Sequence, residues 1–151
     1  MPTLVVDTHV SASRERCFDL ARDVQVHCMT ASFTRERVLP PGRVEGLLGL
    51  GDLVVFEAVH LGVRQRLSAR VTAMEPPLAF EDTMVSGAFS SLHHRHEFHA
   101  AGVGTHMRDI LSWTSPLGPI GRLADLVVVG RHFRHFLVRK NAAFRVLAEE
   151  A

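Results

Sequence analysis

The segment Asp52–Met74, which reads DLVVFEAVHLGVRQRLSARVTAM, decides the fold class. It contains two strand-like halves, Asp52–His60 and Val63–Met74, both rich in β-branched residues. Leu61-Gly62 separates them, and a glycine in a two-residue connection favours a tight hairpin. Pairing the halves across this turn matches apolar with apolar and acid with base, as Phe56 with Leu67, Val54 with Ala69, and Glu57 with Arg66.

The second half of this hairpin has two chemically different faces. One face carries Gln65, Leu67, Ala69, Val71 and Ala73. The other face carries Arg64, Arg66, Ser68, Arg70 and Thr72. Such alternation is typical of an antiparallel sheet with one face in water. The apolar face is therefore predicted to cover a core or a cavity.

Further strand-like segments lie on both sides of the hairpin. The predicted strands are Leu4–Val10, Leu78–Val85, Ser90–His99 and Thr105–Thr114, with an alternating segment Phe33–Leu39 that ends at Pro40-Pro41-Gly42. Between the first strand and Phe33, helical spacing and the caps Ser11 and Ser13 predict short helices interrupted near Asp23. Both cysteines, Cys17 and Cys28, fall in this helical region.

The pattern changes period after Pro116-Leu117-Gly118-Pro119. Apolar residues then recur at steps of three and four, namely Leu126, Val129, Phe133, Phe136, Leu137, Phe144 and Leu147. They predict a helix over Ile120–Glu149, about 45 Å long, with Gly130 marking a bend or a close approach. One helix cannot cover both faces of a sheet, so we expect the sheet to curl around it and leave a space. The prediction is an α+β fold of one domain, residues 1–151, with six to seven antiparallel strands around the C-terminal helix.

Composition excludes several classes of protein. The 151 residues are 46% hydrophobic and 22% charged, which is typical of a folded domain and too apolar for disorder. A net charge of +1 gives no field that would recruit nucleic acid, so no nucleic-acid partner is predicted. No apolar run is long enough to cross a bilayer. The first ten residues lack the features of a secretory signal, so we expect a cytoplasmic protein with reduced cysteines.

The second half of the chain resembles the START-type helix-grip superfamily, in particular a bacterial ligand-binding branch. The motifs that carry the resemblance are Phe80-x-Asp82, Gly87-Ala88-Phe89, His94-x-His96-x-Phe98, Gly104-Thr105-x-Met107-x-Asp109-x-Leu111-x-Trp113 and Pro116-Leu117-Gly118-x-x-Gly121-x-Leu123-Ala124. The chain departs from relatives at Leu92, where they often carry tryptophan, and at Trp113, where they often carry tyrosine. The superfamily includes lipid-transfer, pollen-allergen-like and polyketide cyclase/dehydrase-like proteins. The resemblance therefore implies binding of a hydrophobic small molecule more strongly than any one reaction.

Five of the ten histidines fall between His93 and His106. Alternation along a strand places Leu92, His94, His96 and Phe98 on one face, towards the cavity. The opposite face, with His93, Arg95, Glu97, His99 and His106, is predicted to be a solvated sheet surface. If Phe98 lies opposite Thr105, then His96 faces Met107, His94 faces Asp109 and Leu92 faces Leu111. His94 and Asp109 would then form a cross-strand pair inside the cavity.

The inward polar residues His94, His96 and Asp109 have three interpretations. They satisfy one another within an apolar interior, they orient a bound ligand, or they ligate a metal, since His-x-His and a carboxylate are zinc-ligand types. No cysteine or third histidine is clearly placed on this face, so no metal ligand and no cofactor is assigned. As catalytic candidates, His94 and Asp109 could supply the base for an aldol-type cyclisation or a dehydration.

The sequence thus predicts a carrier or sensor of a hydrophobic or amphipathic small molecule, such as a lipid, an isoprenoid or quinone tail, or an aromatic polyketide. The predicted ligand-binding residues are Phe56, Leu67, Phe80, His94, His96, Phe98, Met107, Asp109, Leu111, Trp113, Phe133 and Phe136. The loop Gly46–Gly51 lacks the order of a phosphate loop and is expected at the cavity rim.

Two further partners follow from the final helix and from the fold. The basic residues Arg131, His132, Arg134, His135, Arg139, Lys140 and Arg145 make the outer face of this helix locally basic. This face has two interpretations: a solvated surface whose cations complement the helix C-terminus, or a site of transient contact with anionic lipid headgroups or an acidic partner. A homodimer without a ligand is a further hypothesis, which predicts a collapsed pocket and an apolar patch elsewhere.

Overall fold

The computed structural model describes residues 1–150. Its centre is one antiparallel sheet of seven strands in the order β1-β7-β6-β5-β4-β3-β2. The strands are β1 (Thr3–Val10), β2 (Arg37–Val38), β3 (Leu53–His60), β4 (Val63–Glu75), β5 (Ala79–Ser86), β6 (Ser91–Ala101) and β7 (Gly104–Thr114). The predicted α+β architecture is confirmed. Because β1 pairs with β7, the first strand lies beside the last and the meander runs outward from there to β2.

Two short helices follow β1, as predicted: α1 (Arg14–Ala21) and α2 (Val24–Thr30). Asp23 separates them because its carboxylate accepts from the backbone N–H groups of Gln25 and Val26, which caps α2. The prediction of a strand over Phe33–Leu39 is wrong except at Arg37–Val38. Ser32–Thr34 forms a 3₁₀ turn, and Arg35 adopts φ 56°, so only the two residues of β2 reach the sheet.

The β3–β4 hairpin forms with the predicted register, including Phe56 opposite Leu67. Leu61 and Gly62 have φ values of 53° and 76°, as a type I′ turn requires. The prediction that Ala73 shares the inner face is wrong. A bulge between Val71 and Ala73 shifts the alternation, so that Met74 packs into the core.

The register predicted for β6 and β7 is wrong by two residues. Phe98 pairs with Met107 and His96 with Asp109. The turn between the strands is shorter than predicted, because Ala101 pairs with Gly104 and only Gly102-Val103 connect them. A shift of two residues keeps every side chain on its predicted face, since successive side chains of a strand alternate.

The final helix runs from Gly118 to Ala148 in three parts, α3 (Gly118–Ala124), a π-helical turn (Asp125–Val129) and α4 (Gly130–Ala148). The π turn lies immediately before Gly130, where a bend or close approach is predicted. Leu126, the first apolar residue of the predicted helical repeat, lies within this π turn and is 79% exposed. Asp125 holds this turn in place, because its carboxylate accepts from Trp113 Nε1 at 2.8 Å and from the Ser115 hydroxyl.

Three apolar clusters hold the helices against the concave face of the sheet. The first groups Phe18, Phe80, Phe98, Met107 and Phe144, the second Leu111, Trp113 and Leu137, and the third Val24, Val54, Ala69 and Val71. No helix among residues 1–150 is both long and apolar enough to cross a membrane. The space between the clusters positions the site described next.

Candidate functional site

A cavity lies between the inner face of the sheet and α4. Its volume, counted as the space that the centre of a water molecule can reach, is about 130 Å³. A neighbouring cavity of about 110 Å³ shares Glu36, Phe56, His60, Leu67, Leu92 and Phe133 with it, and reaches the β3–β4 turn at Leu61. A single buried water needs only about 10–15 Å³ on this measure. The interior is therefore not tightly filled.

Eight of the twelve predicted ligand-binding residues line the larger cavity. They are Phe56, Leu67, Phe80, His94, His96, Leu111, Phe133 and Phe136. They come from strands β3–β7 and from α4, whose inward residues converge because the sheet curls around the helix. Leu48 of the glycine-rich loop also lines the cavity, so this loop reaches its wall as expected.

The other four predicted residues lie elsewhere. Phe98 and Met107 pack in the core beside Phe18 and reach only a space of about 20 Å³. Trp113 is buried against Phe133, with its ring centroid 5.0 Å from that of the phenylalanine. Asp109 lines the same small space and sits behind the cavity imidazoles.

Asp109 is the centre of a buried polar cluster. Its Oδ1 lies 2.8 Å from His94 Nε2 and 3.4 Å from His96 Nδ1. Its Oδ2 accepts from Asn141 Nδ2 at 2.7 Å, which links the cluster to α4. The predicted contact between His94 and Asp109 therefore forms, although along a diagonal and not between directly opposed residues.

A second carboxylate, Asp82 of β5, approaches the cluster from the cavity side. Its Oδ2 lies 3.0 Å from His96 Nε2. Both nitrogens of His96 thus face a carboxylate, while its ring stacks between His94 and Phe80 at centroid distances of 3.8 and 4.2 Å. Rotation of this imidazole is blocked by the two flanking rings and by its two acidic neighbours.

The two imidazoles titrate in opposite directions. Burial lowers the pKa of His94, and the neighbouring His96 lowers it further, against the effect of Asp109. Burial acts in the same sense on His96, but its hydrogen bonds to Asp109 and Asp82 outweigh burial and raise its pKa. Burial also disfavours the charged form of Asp109, yet the two histidines hold its pKa well below the usual range. The arrangement favours a protonated His96 between two carboxylates and a neutral His94.

A separate polar pair, His27 and Glu36, also lines the larger cavity. His27 stacks on Phe56 with a centroid distance of 4.3 Å, and its Nε2 lies 3.0 Å from Glu36 Oε2. The Glu36 side chain is 6% exposed. The contact with His27 does not have hydrogen-bond geometry, so this oxygen has no hydrogen-bond donor among residues 1–150. A buried acceptor without a donor is costly, and a ligand hydroxyl or amine in the cavity would satisfy it.

Sequence reasoning missed several cavity residues. Asp82 stands out in the sequence only as part of the Phe80-x-Asp82 motif, although its spacing from Phe80 places both on the same face of β5. His27, Glu36, Lys140 and Asn141 come from helices and from the connection before β2. Local periodicity does not report how such elements dock on a sheet, so no signal in the sequence identifies them.

The basic face predicted for the final helix divides into two sets. Lys140 lines the cavity, and His132 approaches His60 at 2.9 Å between ring nitrogens, so the prediction that both face outward is wrong. Arg139 lies over the Phe33 ring at 4.3 Å. The exposed set is Arg131, Arg134, His135, Arg139 and Arg145 on α4, together with Arg122 on α3.

The outward-facing side chains of β6 form ion pairs with acidic residues. His93 and Arg95 contact Glu81, and His99 contacts Glu97. His106 on β7 contacts Asp7 of β1. The prediction of a solvated sheet surface here is confirmed.

Comparison with solved structures shows the same fold in proteins of low sequence identity. The crystal structure of TTHA0849 from Thermus thermophilus has a TM-score of 0.81 at 19% identity, covering 99% of this chain and 100% of that one. The solution structure of KanY protein gives 0.77 at 17% identity, covering 99% and 98%. The crystal structure of ginseng major latex-like protein 151 from Panax ginseng gives 0.70 at 11% identity, with the same coverage of 99% and 98%. No family model and no curated protein matches the chain. The chain therefore has the same fold as these proteins, a helix-grip fold.

Proposed function

We propose that the protein binds a hydrophobic or amphipathic small molecule in the cavity between its sheet and final helix, as a carrier or sensor. The observation that carries the proposal is an interior space with apolar walls and a compact polar cluster at one side. Binding sites for small molecules usually combine apolar walls with a few convergent polar groups. The helix-grip fold shared with solved structures supports the same conclusion.

The cavity suggests how such a ligand would lie. The smaller space near Leu61, Phe89 and Phe133 is predominantly apolar and suits a hydrocarbon or aromatic tail. Burial of that tail would supply most of the affinity, at roughly 25 cal/mol per Å² of apolar surface. His94, His96 and Asp82 would meet a polar group of the ligand, and Glu36 would accept from a hydroxyl. A ligand with oxygen functions at one end and an apolar body therefore fits best.

A substitution that fills the cavity with a large side chain tests the proposal directly. Ala69 is buried and lines the cavity, whereas Arg70 points outward from the same strand. We expect Ala69→Trp to reduce binding of the fluorescent probe 8-anilinonaphthalene-1-sulfonate at least tenfold, and Arg70→Trp to leave it unchanged. Native mass spectrometry of gently purified protein would show a co-purified small molecule that the Ala69→Trp variant lacks. Equal probe binding by both variants and the wild type would refute an internal site.

A second candidate function is a cyclase or dehydratase that uses His94 as a base. It is favoured by the contact of 2.8 Å between His94 and Asp109, next to open cavity volume. A positioned imidazole held by a carboxylate is a common base arrangement. With a linear poly-β-ketone substrate, His94→Ala would abolish turnover and leave binding within about threefold. A carrier shows no turnover in either form.

We propose that the surface formed by α3 and the π turn, beside the smaller cavity, docks on anionic membranes. Large apolar side chains are exposed at Leu117, Ile120, Leu123, Leu126, Val127 and Val128. Arg122, Arg131 and Arg134 flank them, so the patch combines apolar and cationic groups as interfacial helices do. The next residue, Val129, lines the smaller cavity, which supports a role of this surface in ligand entry.

Flotation with vesicles of phosphatidylglycerol and phosphatidylcholine tests the docking surface. We expect Leu126→Ser and Arg134→Glu to weaken binding several-fold. Val103→Ser, at a 95% exposed side chain in the β6–β7 turn, and Arg70→Glu are the matched controls. Absence of vesicle binding by the wild type would refute membrane docking. Dimerisation that Leu126→Ser abolishes would instead assign the patch to a second copy of the chain.

A further inference from the structure

We infer that Asp82, His94 and His96 form a binding site for a divalent transition-metal ion, and that zinc suits this set of ligands best. One ligand atom from each residue lies within 4.8 Å of the other two. Imidazole and carboxylate groups in a set of three are the donors of catalytic zinc sites. The inference does not depend on the proposed function, because metal binding requires no organic ligand.

The spacing of the best-defined pair fits a shared ion. Two atoms bound at 2.0–2.1 Å to one tetrahedral zinc ion lie roughly 3.3 Å apart. His96 Nε2 and Asp82 Oδ2 are 3.0 Å apart, so a shift of a few tenths of an ångström would admit the ion. His94 stacks on His96 at 3.8 Å and comes from the same strand, so its ring lies on the same side of the sheet.

The groups behind the two histidines match those that support metal ligands. Asp109 faces Nε2 of His94 and Nδ1 of His96. Metal-binding histidines usually donate their second ring N–H to a carboxylate, which fixes the ring and strengthens the ligand. If His94 binds through Nδ1 and His96 through Nε2, both remaining N–H groups meet Asp109, and the ion displaces the proton between His96 Nε2 and Asp82 to solvent. Asn141 in turn donates to Asp109 at 2.7 Å, so the supporting carboxylate is itself held in place.

The coordination sphere would be open towards the ligand cavity. Asp82, His94 and His96 all line the larger cavity, whereas Asp109 does not. A fourth position would therefore accept water or an oxygen donor of a ligand, such as a carboxylate, an enolate or a β-diketone. This last step rests on the proposed function, and its failure would not affect metal binding itself.

The test uses the tag-free full-length protein, stripped of metal by a chelator and titrated with Co²⁺ and Zn²⁺ separately. We expect one ion per chain, a visible Co²⁺ spectrum of four- or five-coordinate type, and displacement of Co²⁺ by Zn²⁺. His94→Ala, His96→Ala and Asp82→Ala should each weaken binding by about 100-fold or more. Asp109→Asn should weaken it about 10- to 100-fold, as loss of a supporting group does.

His93→Ala and His99→Ala are the matched controls, since they remove imidazoles from the outer face of the same strand. They should leave Co²⁺ affinity unchanged. Nitrogen-15 shifts of the histidine rings provide a second measurement in the wild type, where Zn²⁺ should move His94 and His96 and leave His93 and His99 in place. Absence of a stoichiometric ion, or equal affinity in the inner and outer variants, would overturn the inference.

Discussion

Strand β6 presents the same residue type to two different environments. His94 and His96 face the interior, with side chains 15% and 12% exposed. His93 and His99 face outward, with side chains 40% and 58% exposed. All four contact a carboxylate. The inner pair shares Asp109, which is buried, whereas the outer pair uses the more exposed Glu81 and Glu97.

The difference lies in what each contact costs the folded protein. Exposed ion pairs contribute little to stability, because water screens them and ordering the side chains costs entropy. Buried charged groups lose hydration, and removal of one partner leaves the others without compensation. Apolar residues of similar size often stabilise a core as well as buried ion pairs do. Stability alone therefore does not explain the inner cluster, which agrees with the binding role proposed above.

The largest expected effect comes from removing the carboxylate that the inner cluster shares. Asp109→Ala leaves buried groups of His94, His96 and Asn141 without their acceptor. We expect the free energy of unfolding to fall by about 3–5 kcal/mol. Urea denaturation followed by circular dichroism measures it. The control is Asp7→Ala on the outer face, which accepts from His106 and Arg108 and should cost less than about 1 kcal/mol. Equal losses in the two variants would contradict the contrast between the faces.

How much of this contrast could be predicted depends on the range of the interactions involved. Alternation identified the inner face of β6, and the contact of His94 with Asp109 was predicted despite the wrong register. An error of two residues in the register leaves every side chain on its predicted face of the sheet. A histidine side chain is also long enough to reach a diagonal neighbour on the next strand. The turn length was misjudged because Ala100 and Ala101 suit a strand as well as a turn.

Other features required information that local sequence does not contain. The bulge at Val71 and Ala73 and the π turn at Asp125–Val129 depend on distant contacts, the latter on Trp113 and Ser115. The approach of Asp82 to His96 follows from the pairing of β5 with β6, and that of Asn141 from the docking of α4. The functional roles assigned to the cavity residues remain predictions.

Glu57 qualifies the contrast, because it lies on the outer face yet is only 3% exposed under the side chains of Arg37, Arg64 and Arg66. Hydrogen bonds from Arg37 and Arg66 lead the interactions that lower its pKa from 4.5 to about 2. A carboxyl group with a depressed pKa stabilises the fold above its unfolded pKa, and this contribution is lost as pH falls through the folded value. The stability it supplies should therefore be complete above about pH 4.5 and absent near pH 2.

Glu57→Gln tests this intermediate case. We expect the variant to be less stable than the wild type at pH 7, and the difference between the two urea midpoints to vanish between pH 4.5 and pH 2. Comparing two proteins at each pH cancels the titration of the other acids. A difference that stays constant over this range would show that Glu57 acts through packing and not through its charge.

The smallest expected effects are on the outer histidines. His93→Ala and His99→Ala should each change the free energy of unfolding by less than about 0.5 kcal/mol, since their partners keep access to water and to Arg95. Urea denaturation at low and high salt measures the change, and any difference should shrink as salt screens the pairs. A loss of more than about 2 kcal/mol would place the outer histidines in the same energetic class as the inner cluster, and burial would then not explain the contrast between the two faces of β6.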